Sequence, residues 1–293
     1  MLFRCLNVLF LFTIHAPVVA SETVEWFTDD KKDIEHLSTN TPYSIGSDTL
    51  NLLLDSFSDL EIHLRLASLS RINSQLENTI NSCTANRIKT PAREAKNIFS
   101  LPMNIHPLAK LYFIEGNIAV SESILNNKGE IESFSELLKE NPQKVLGLAK
   151  GASYGNEIDL LLKQVKSESL VYFDSDDRYS MGLKLLFDNL VDFYLGYPSS
   201  IQKYAHVNED IWSRVVSIPI QQEKQFLVTH VACSDSELGR KVISVINKQL
   251  IQLYGSYEHK QAHLTHLPES DYQAFIKEYD AFFSSIKKAH PSH

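Results

Sequence analysis

Thr84-Ala85-Asn86-Arg87-Ile88-Lys89-Thr90-Pro91-Ala92-Arg93 runs on through Glu94 to Phe99-Ser100-Leu101-Pro102, and the reading of the chain turns on this stretch. A β-capable start meets Thr-Pro and then a short helical run. Thr90 therefore reads as a cap and Pro91 as the first helical position, where its missing N–H costs nothing. Free amides at such a helix start, with Arg93 one turn in, make a site for a carboxylate or another anion.

Upstream of this stretch, Thr23 to Thr28 alternates weakly and predicts a first strand. Residues 29–44 are polar, contain Pro42 and read as a loop. Gly46 to Phe57 has Leu50, Leu53 and Leu54 at helical spacing, whereas Leu60, Ile62, Leu64 and Leu66 alternate as a second strand. Ser70 to Ser82, with Ile72, Leu76 and Ile80 on one face, is a helix, and Cys83 to Arg87 is a third strand. Strand and helix in alternation predict a parallel sheet with covering helices. Leu108 to Glu115 then reads as a connecting strand leaving this lobe.

A second set of elements begins after Asn126-Asn127-Lys128-Gly129. Ser133-Phe134-Ser135-Glu136 is a capping box, and Lys144 to Leu148 is the strand after its helix. Lys150-Gly151-Ala152-Ser153-Tyr154-Gly155 is a tight strand-to-helix turn ahead of a helix over 156–166, again directing backbone donors outward. A strand over 169–173, a helix over 179–189 and a strand over 191–195 repeat the alternation. Strands over 211–219 and 225–231 return from this second lobe, and helices over 236–254 and 269–288 close the chain.

The length of 293 residues and the 43% apolar content suit one or two globular lobes. Met1 to Ala20 combines Arg4, an apolar run from Val8 to Ile14 and the small-residue ending Pro17-Val18-Val19-Ala20. It reads as a cleavable secretory signal peptide, too short to span a bilayer. Cys5 precedes the apolar run, so it cannot be a lipoprotein cysteine. Removal of this leader takes Arg4 and leaves 27 basic against 36 acidic residues, a net charge of −9. That balance disfavours nucleic acid and anionic lipid as partners and gives local cations such as Arg87, Lys89 and Arg93 more weight than the total. Cys83 and Cys233 remain in the oxidising compartment such a leader implies. Either they bridge and close a long loop, or they are buried free thiols.

Thr-x-x-Arg followed by Phe-Ser-x-Pro resembles a segment of bacterial extracellular solute-binding proteins of family 3, the polar amino-acid-binding type of periplasmic binding protein. The order of elements is similar along essentially the whole mature chain. The resemblance implies an α/β, two-lobed periplasmic binding protein type 2 fold, each lobe a mostly parallel sheet covered by helices, with two crossover strands as hinge. Lobe I would comprise 21–110 and 220–293, and lobe II 111–219. The implied protein is a monomer without cofactor. It captures a small anionic or carboxylate-bearing solute in the inter-lobe cleft and presents it to an inner-membrane permease or a membrane sensor.

The resemblance further implies that Arg93 with Thr90 holds a ligand carboxylate. Thr28-Asp29 and Pro42-Tyr43 resemble family positions that place an acid and a ring against the ligand, and Ser153 lies in the turn that touches the carboxylate from the second lobe. Val191-Asp192-Phe193-Tyr194-Leu195-Gly196-Tyr197-Pro198 resembles a strand that in the family ends in an aspartate binding the α-ammonium. Tyr197 stands there instead, and Ile88 stands where a hydroxyl is common. Both departures remove polar contacts to an amino acid.

Other patterns carry less. His259, His263 and His266 have the spacing of imidazoles on one helical face, but only Glu258 stands nearby, so the segment reads as solvated and frayed. Asp174-Ser175-Asp176-Asp177 lacks the glycine and terminal glutamate of a calcium loop and reads as a loop and helix cap. Arg71 reads as a surface residue at a helix start. Nucleophile-elbow, zinc-protease and phosphate-loop motifs are absent. The alternatives are a lyase or hydratase on the same scaffold, with Asp29 as its acid or base, and a degenerate cleft serving as a partner-interaction surface.

Overall fold

A computed structural model of the chain describes residues 22–39, 41–54, 57, 60–201, 203 and 209–291. The leader expected over 1–20 lies outside them. The first run of elements is β1 (Glu22–Thr28), α1 (Lys31–Thr39), α2 (Ile45–Leu54), β2 (Leu60–Leu66), α3 (Leu69–Asn78), β3 (Ser82–Arg87), α4 (Pro91–Glu94) and β4 (Asn97–His106). The second is β5 (Lys110–Ile114), α5 (Phe134–Glu140), β6 (Leu146–Ala149), α6 (Asn156–Leu162), β7 (Leu170–Phe173), α7 (Arg178–Phe187), β8 (Phe193–Gly196), α8 (Pro198–Ile201), α9 (Glu209–Trp212) and β9 (Val215–Pro219). The chain then returns through β10 (Leu227–Ser234) and ends in α10 (Glu237–Leu253), α11 (Tyr257–Leu264) and α12 (Tyr272–Ala289).

Two five-stranded sheets result, ordered β2-β1-β3-β10-β4 and β7-β6-β8-β5-β9. In each, one half is parallel (β2-β1-β3 and β7-β6-β8) and the other antiparallel, so both sheets are mixed. The chain crosses from the first sheet to the second between His106 and Lys110 and returns between Pro219 and Leu227. Among the described residues, no helix is long and apolar enough to cross a membrane.

Alternation along β1 builds the first lobe. Val24 and Trp26 face a core shared with Leu53, Met103, Ile246 and Phe283, so α2, α10 and α12 cover that face. Phe27 faces the other way onto Ile72 and Leu76 of α3. Full burial of each such aliphatic side chain is worth about 1.5–3 kcal/mol. Cys83 of β3 and Cys233 of β10 are directly opposite in the antiparallel ladder. They are joined as a disulfide, with Cα atoms 4.1 Å apart and both residues buried in the core.

Several elements differ from the sequence reading. Residues 31–39 form a helix instead of a loop; α1 fully buries none of its residues and has only a short apolar face, with Leu37 packed part-buried on the first core. Asn97–His106 is a strand despite Pro102, because β4 is the sheet edge, where a missing N–H is tolerated. Residues 209–212 are helical before β9 starts at Val215.

The segment read as frayed is α11, and His259 and His263 are fully buried in it. Their bonding is that of neutral rings. His259 Nε2 donates to the Met103 carbonyl at 3.0 Å, and its Nδ1 lies 2.5 Å from the Tyr279 hydroxyl. His263 Nδ1 donates to the His259 carbonyl at 2.7 Å, and its Nε2 accepts from the Ile105 amide at 3.4 Å. His266, 2.7 Å from Asp48, pairs on its own.

Candidate functional site

Thr90 caps α4 in extended conformation, with its hydroxyl accepting from the Arg93 amide at 3.4 Å. The Arg93, Glu94 and Ala95 amides bond to the Thr90 and Pro91 carbonyls, which leaves this four-residue helix few donors for a ligand. Arg93 itself is directed inward: one guanidinium nitrogen donates to the Ile88 carbonyl at 3.0 Å and the other to the Gly151 carbonyl of the second lobe at 3.1 Å. Burial lowers its pKa against the opposing charges of Asp159 and Tyr197.

A second guanidinium stands beside it. Asn86, one residue before the end of β3, has φ +52°, in the left-handed region, and the ladder to β10 shifts register at His230/Ala232. The irregularity breaks the strand's alternation just ahead of Arg87, which is buried at 5% exposure against the inter-lobe cavity. Asn86 is held there because its side-chain oxygen accepts from Asn104 at 3.0 Å and from Thr229 at 3.3 Å. Gly46 makes the space, since a Cβ at that position would lie 1.4 Å from the Asn86 amide nitrogen. Arg87 Nε has no hydrogen-bond partner, and burial followed by the charge of Arg93 pushes its pKa down to about 9.

The second lobe contributes a turn and a helix start. Gly151, at φ +80°, brings its carbonyl to Arg93 and also accepts from Asn73 at 3.2 Å. A Cβ there would lie 2.7 Å from Asn73 and 3.2 Å from the Ser70 amide, so the lobes approach closely only because this residue is glycine. Ser153 donates to Asp159 at 2.5 Å and accepts from the Gly155 amide at 3.3 Å. Tyr197 stacks on Tyr154 at 6.3 Å, and its buried hydroxyl has no partner. Arg178, at the start of α7, reaches Asp29 across the cleft at 3.0 Å and donates to the Tyr179 hydroxyl at 2.6 Å. Burial opposes the Arg178 charge, but Asp29 and the surrounding tyrosines outweigh it, so its pKa lies above the usual value.

An acidic corner closes the site. Asp30 accepts from the Tyr43 hydroxyl at 3.0–3.1 Å and lies 3.4 Å from Lys203, whose ammonium sits 3.7 Å above the Tyr43 ring. Asp33 accepts from Thr28 at 2.8 Å. Burial first, and then the charge of Asp30, raise its carboxyl pKa to about 7. The folded state therefore holds a proton that the unfolded state releases near pH 4. Stability is fully present below that pH and is lost as pH rises towards 7. Asp33→Asn is expected to gain on wild type by roughly 1–2 kcal/mol over this window, since the charged carboxyl has a buried, unbonded Oδ1 and Asp30 as a neighbour. Urea unfolding of both proteins at pH 4.5 and 7.5 checks this; an equal gap at the two values would exclude it.

These side chains surround a cavity of about 110 Å³ between the lobes. Of the residues singled out in the sequence, Thr28, Asp29, Arg87, Ile88, Arg93, Ser153 and Tyr197 line it. Thr90 and Tyr43 stand behind the wall, one capping α4 and the other bracing Asp30 and Lys203. Asp29, the acid that a lyase would need, is taken up by Arg178. The Asp174–Asp177 loop contributes a cross-lobe bond, Ser70 to Asp174 at 2.5 Å. Arg178, Lys203, Asp30 and Asp33 had no signal in the sequence beyond their charge. No group of three His, Cys, Asp or Glu residues able to hold a metal occurs among the described residues.

The two sheets, their crossovers and the cavity between them define a class, the two-lobed α/β fold of periplasmic binding proteins. Solved structures similar to this chain include substrate-binding proteins of amino-acid ABC transporters. One is a Salmonella typhimurium periplasmic binding protein with high arginine specificity, 15% identical over 82% of this chain and 97% of that one, with a TM-score of 0.58. Another, from work on glutathione import in Streptococcus mutans, is 14% identical over 86% and 99%, with a TM-score of 0.60. A Neisseria gonorrhoeae solute receptor for L-cysteine is 11% identical over 84% and 89%, with a TM-score of 0.56. No protein-family model matches the sequence, and no curated protein matches it significantly.

Proposed function

We propose that the chain is an exported solute-binding protein whose lobes close on a small anionic, carboxylate-bearing solute. One observation carries this reading: the Arg93 guanidinium reaches from the first lobe to Gly151 of the second at the rim of an enclosed cavity. Only two of its five N–H donors are used, both on neutral carbonyls. An anion entering the cleft replaces weak partners with a charge-assisted pair and ties both lobes to itself. Closure is then hinge motion about the crossovers after β4 and before β10, selected because the ligand touches both lobes only when they meet.

In this reading residues 1–20 are removed on export and the mature protein works in the periplasm as a monomer. Lobe I is 21–110 with 220–293, and lobe II is 111–219. The closed form is read by a membrane permease or sensor. The fold likeness to binding proteins of ABC transporters supports the binding role. Thermal shift across amino acids, polyamines, peptides and organic acids tests it, because a ligand raises the midpoint by mass action. A carboxylic acid is expected to shift wild type, and Arg93→Ala to bind it about 10- to 100-fold more weakly. A full response in the variant would remove Arg93 from the site.

A further inference from the structure

The charges around the cavity do not cancel, and the surplus has a definite form. Four cations face it: Arg87, Arg93, Arg178 and Lys203. Arg178 is matched by Asp29 at 3.0 Å and Lys203 by Asp30 at 3.4 Å. Asp33, the remaining acid, accepts from Thr28 and forms no ion pair with either of the other two guanidiniums. Two guanidiniums are left without a carboxylate partner. Arg93 meets only carbonyl oxygens. Arg87 is buried at 5% exposure with its Nε unbonded, and the charge of Arg93 adds to burial in lowering its pKa. Burying one unpaired cation is costly, and burying two side by side more so.

We infer that the solute is a small dianion with two negative oxyanion charges, one held by Arg87 and the other by Arg93. The inference rests on the solute-binding reading and adds a charge number and a specificity-determining residue. The cavity volume of about 110 Å³ limits the dianion to a compact one. It is well below the ~300–1,000 Å³ of sites for drug-sized ligands. The Tyr197 hydroxyl, buried without a partner and lining the cavity from the second lobe, supplies a neutral donor. A short dicarboxylate and an inorganic divalent oxyanion share this chemistry, and the two are separated by experiment.

The test is calorimetric titration of the full mature chain at pH 7.5 with malonate, succinate, inorganic phosphate and sulfate. Alongside run the monoamides malonamate and succinamate, matched in size but with one charge fewer, and a panel of neutral and cationic amino acids. At least one dianion is expected to bind saturably at one site. If it is a dicarboxylate, its monoamide is expected to bind about 10- to 100-fold more weakly. If it is phosphate or sulfate, the dicarboxylates bind weakly and acetate serves as the monoanion.

Arg87→Gln is expected to lower dianion affinity about 10- to 100-fold, to the monoanion level, with its ligand-free urea-unfolding midpoint measured alongside to separate loss of a charge contact from misfolding. Arg87→Lys, which keeps the charge without the planar fork, restores part of the discrimination. Equal affinity for dianion and monoanion, or an unaltered ratio in Arg87→Gln, overturns the inference. If no dianion binds but an amino acid does, the dianion is wrong and the solute-binding role stands. If nothing in the panel binds, both fall.

Discussion

Replacing Cys83 and Cys233 together by alanine is expected to lower stability by about 3–5 kcal/mol. The bond closes a loop with a sequence separation of 150 residues. In the chain-entropy model a loop of that length restricts the unfolded ensemble by about 5 kcal/mol. Both sulfurs lie in the core, on neighbouring strands at the centre of the first sheet. Reduction should therefore be slow in the folded protein and fast in urea. Equilibrium unfolding with and without reductant measures the difference. A loss below about 1 kcal/mol would show that the reduced chain retains most of the restriction.

Acid is expected to destabilise the protein through its buried histidines, starting well above the ordinary carboxylate range. Burial pushes the His106 and His259 pKa values down to about 4, and takes that of His263 well below its ordinary value. Unfolded imidazoles take up protons near pH 6.5 and these folded ones do not. Their stability is thus fully present above pH 6.5 and is lost as pH falls towards 4. For a ring displaced from 6.5 to about 4, the loss approaches about 3 kcal/mol. His263 is the most sensitive, because its Nε2 accepts from the Ile105 amide and a proton there would set donor against donor. His263→Gln is expected to be less stable than wild type at pH 7.5 but to have a shallower slope of unfolding free energy between pH 6.5 and 4.5. An unchanged slope would mean that these rings do not resist protonation.

The alternation in β1, the capping box at Ser133 and the Thr90-Pro91 start of α4 rest on neighbours within a few residues, and local physics makes them readable. β4 was not assigned from the sequence, and its Pro102 is admissible only because β4 is an edge strand, which is a property of the whole sheet. α11 was misread because the partners of its histidines, Tyr279 and Met103, come from α12 and β4.

The site shows the same division. Arg93 stood out beside its helix start, but its reach to Gly151 depends on how the lobes meet. Arg87 stood out only as one of three nearby cations; its place against the cavity depends on the left-handed Asn86, which is possible only against Gly46. Arg178 acquires meaning only from Asp29, far away in sequence.

The position of β10 between β3 and β4 also bears on how the molecule comes into being. A polypeptide emerging N-terminus first offers β3 and β4 long before the strand that belongs between them, and the entire second lobe can form meanwhile. The half-built first lobe then exposes two unpaired strand borders and one lone thiol at Cys83. That interval invites aggregation and mispaired thiols, and it ends when the late strand slots in and Cys233 arrives.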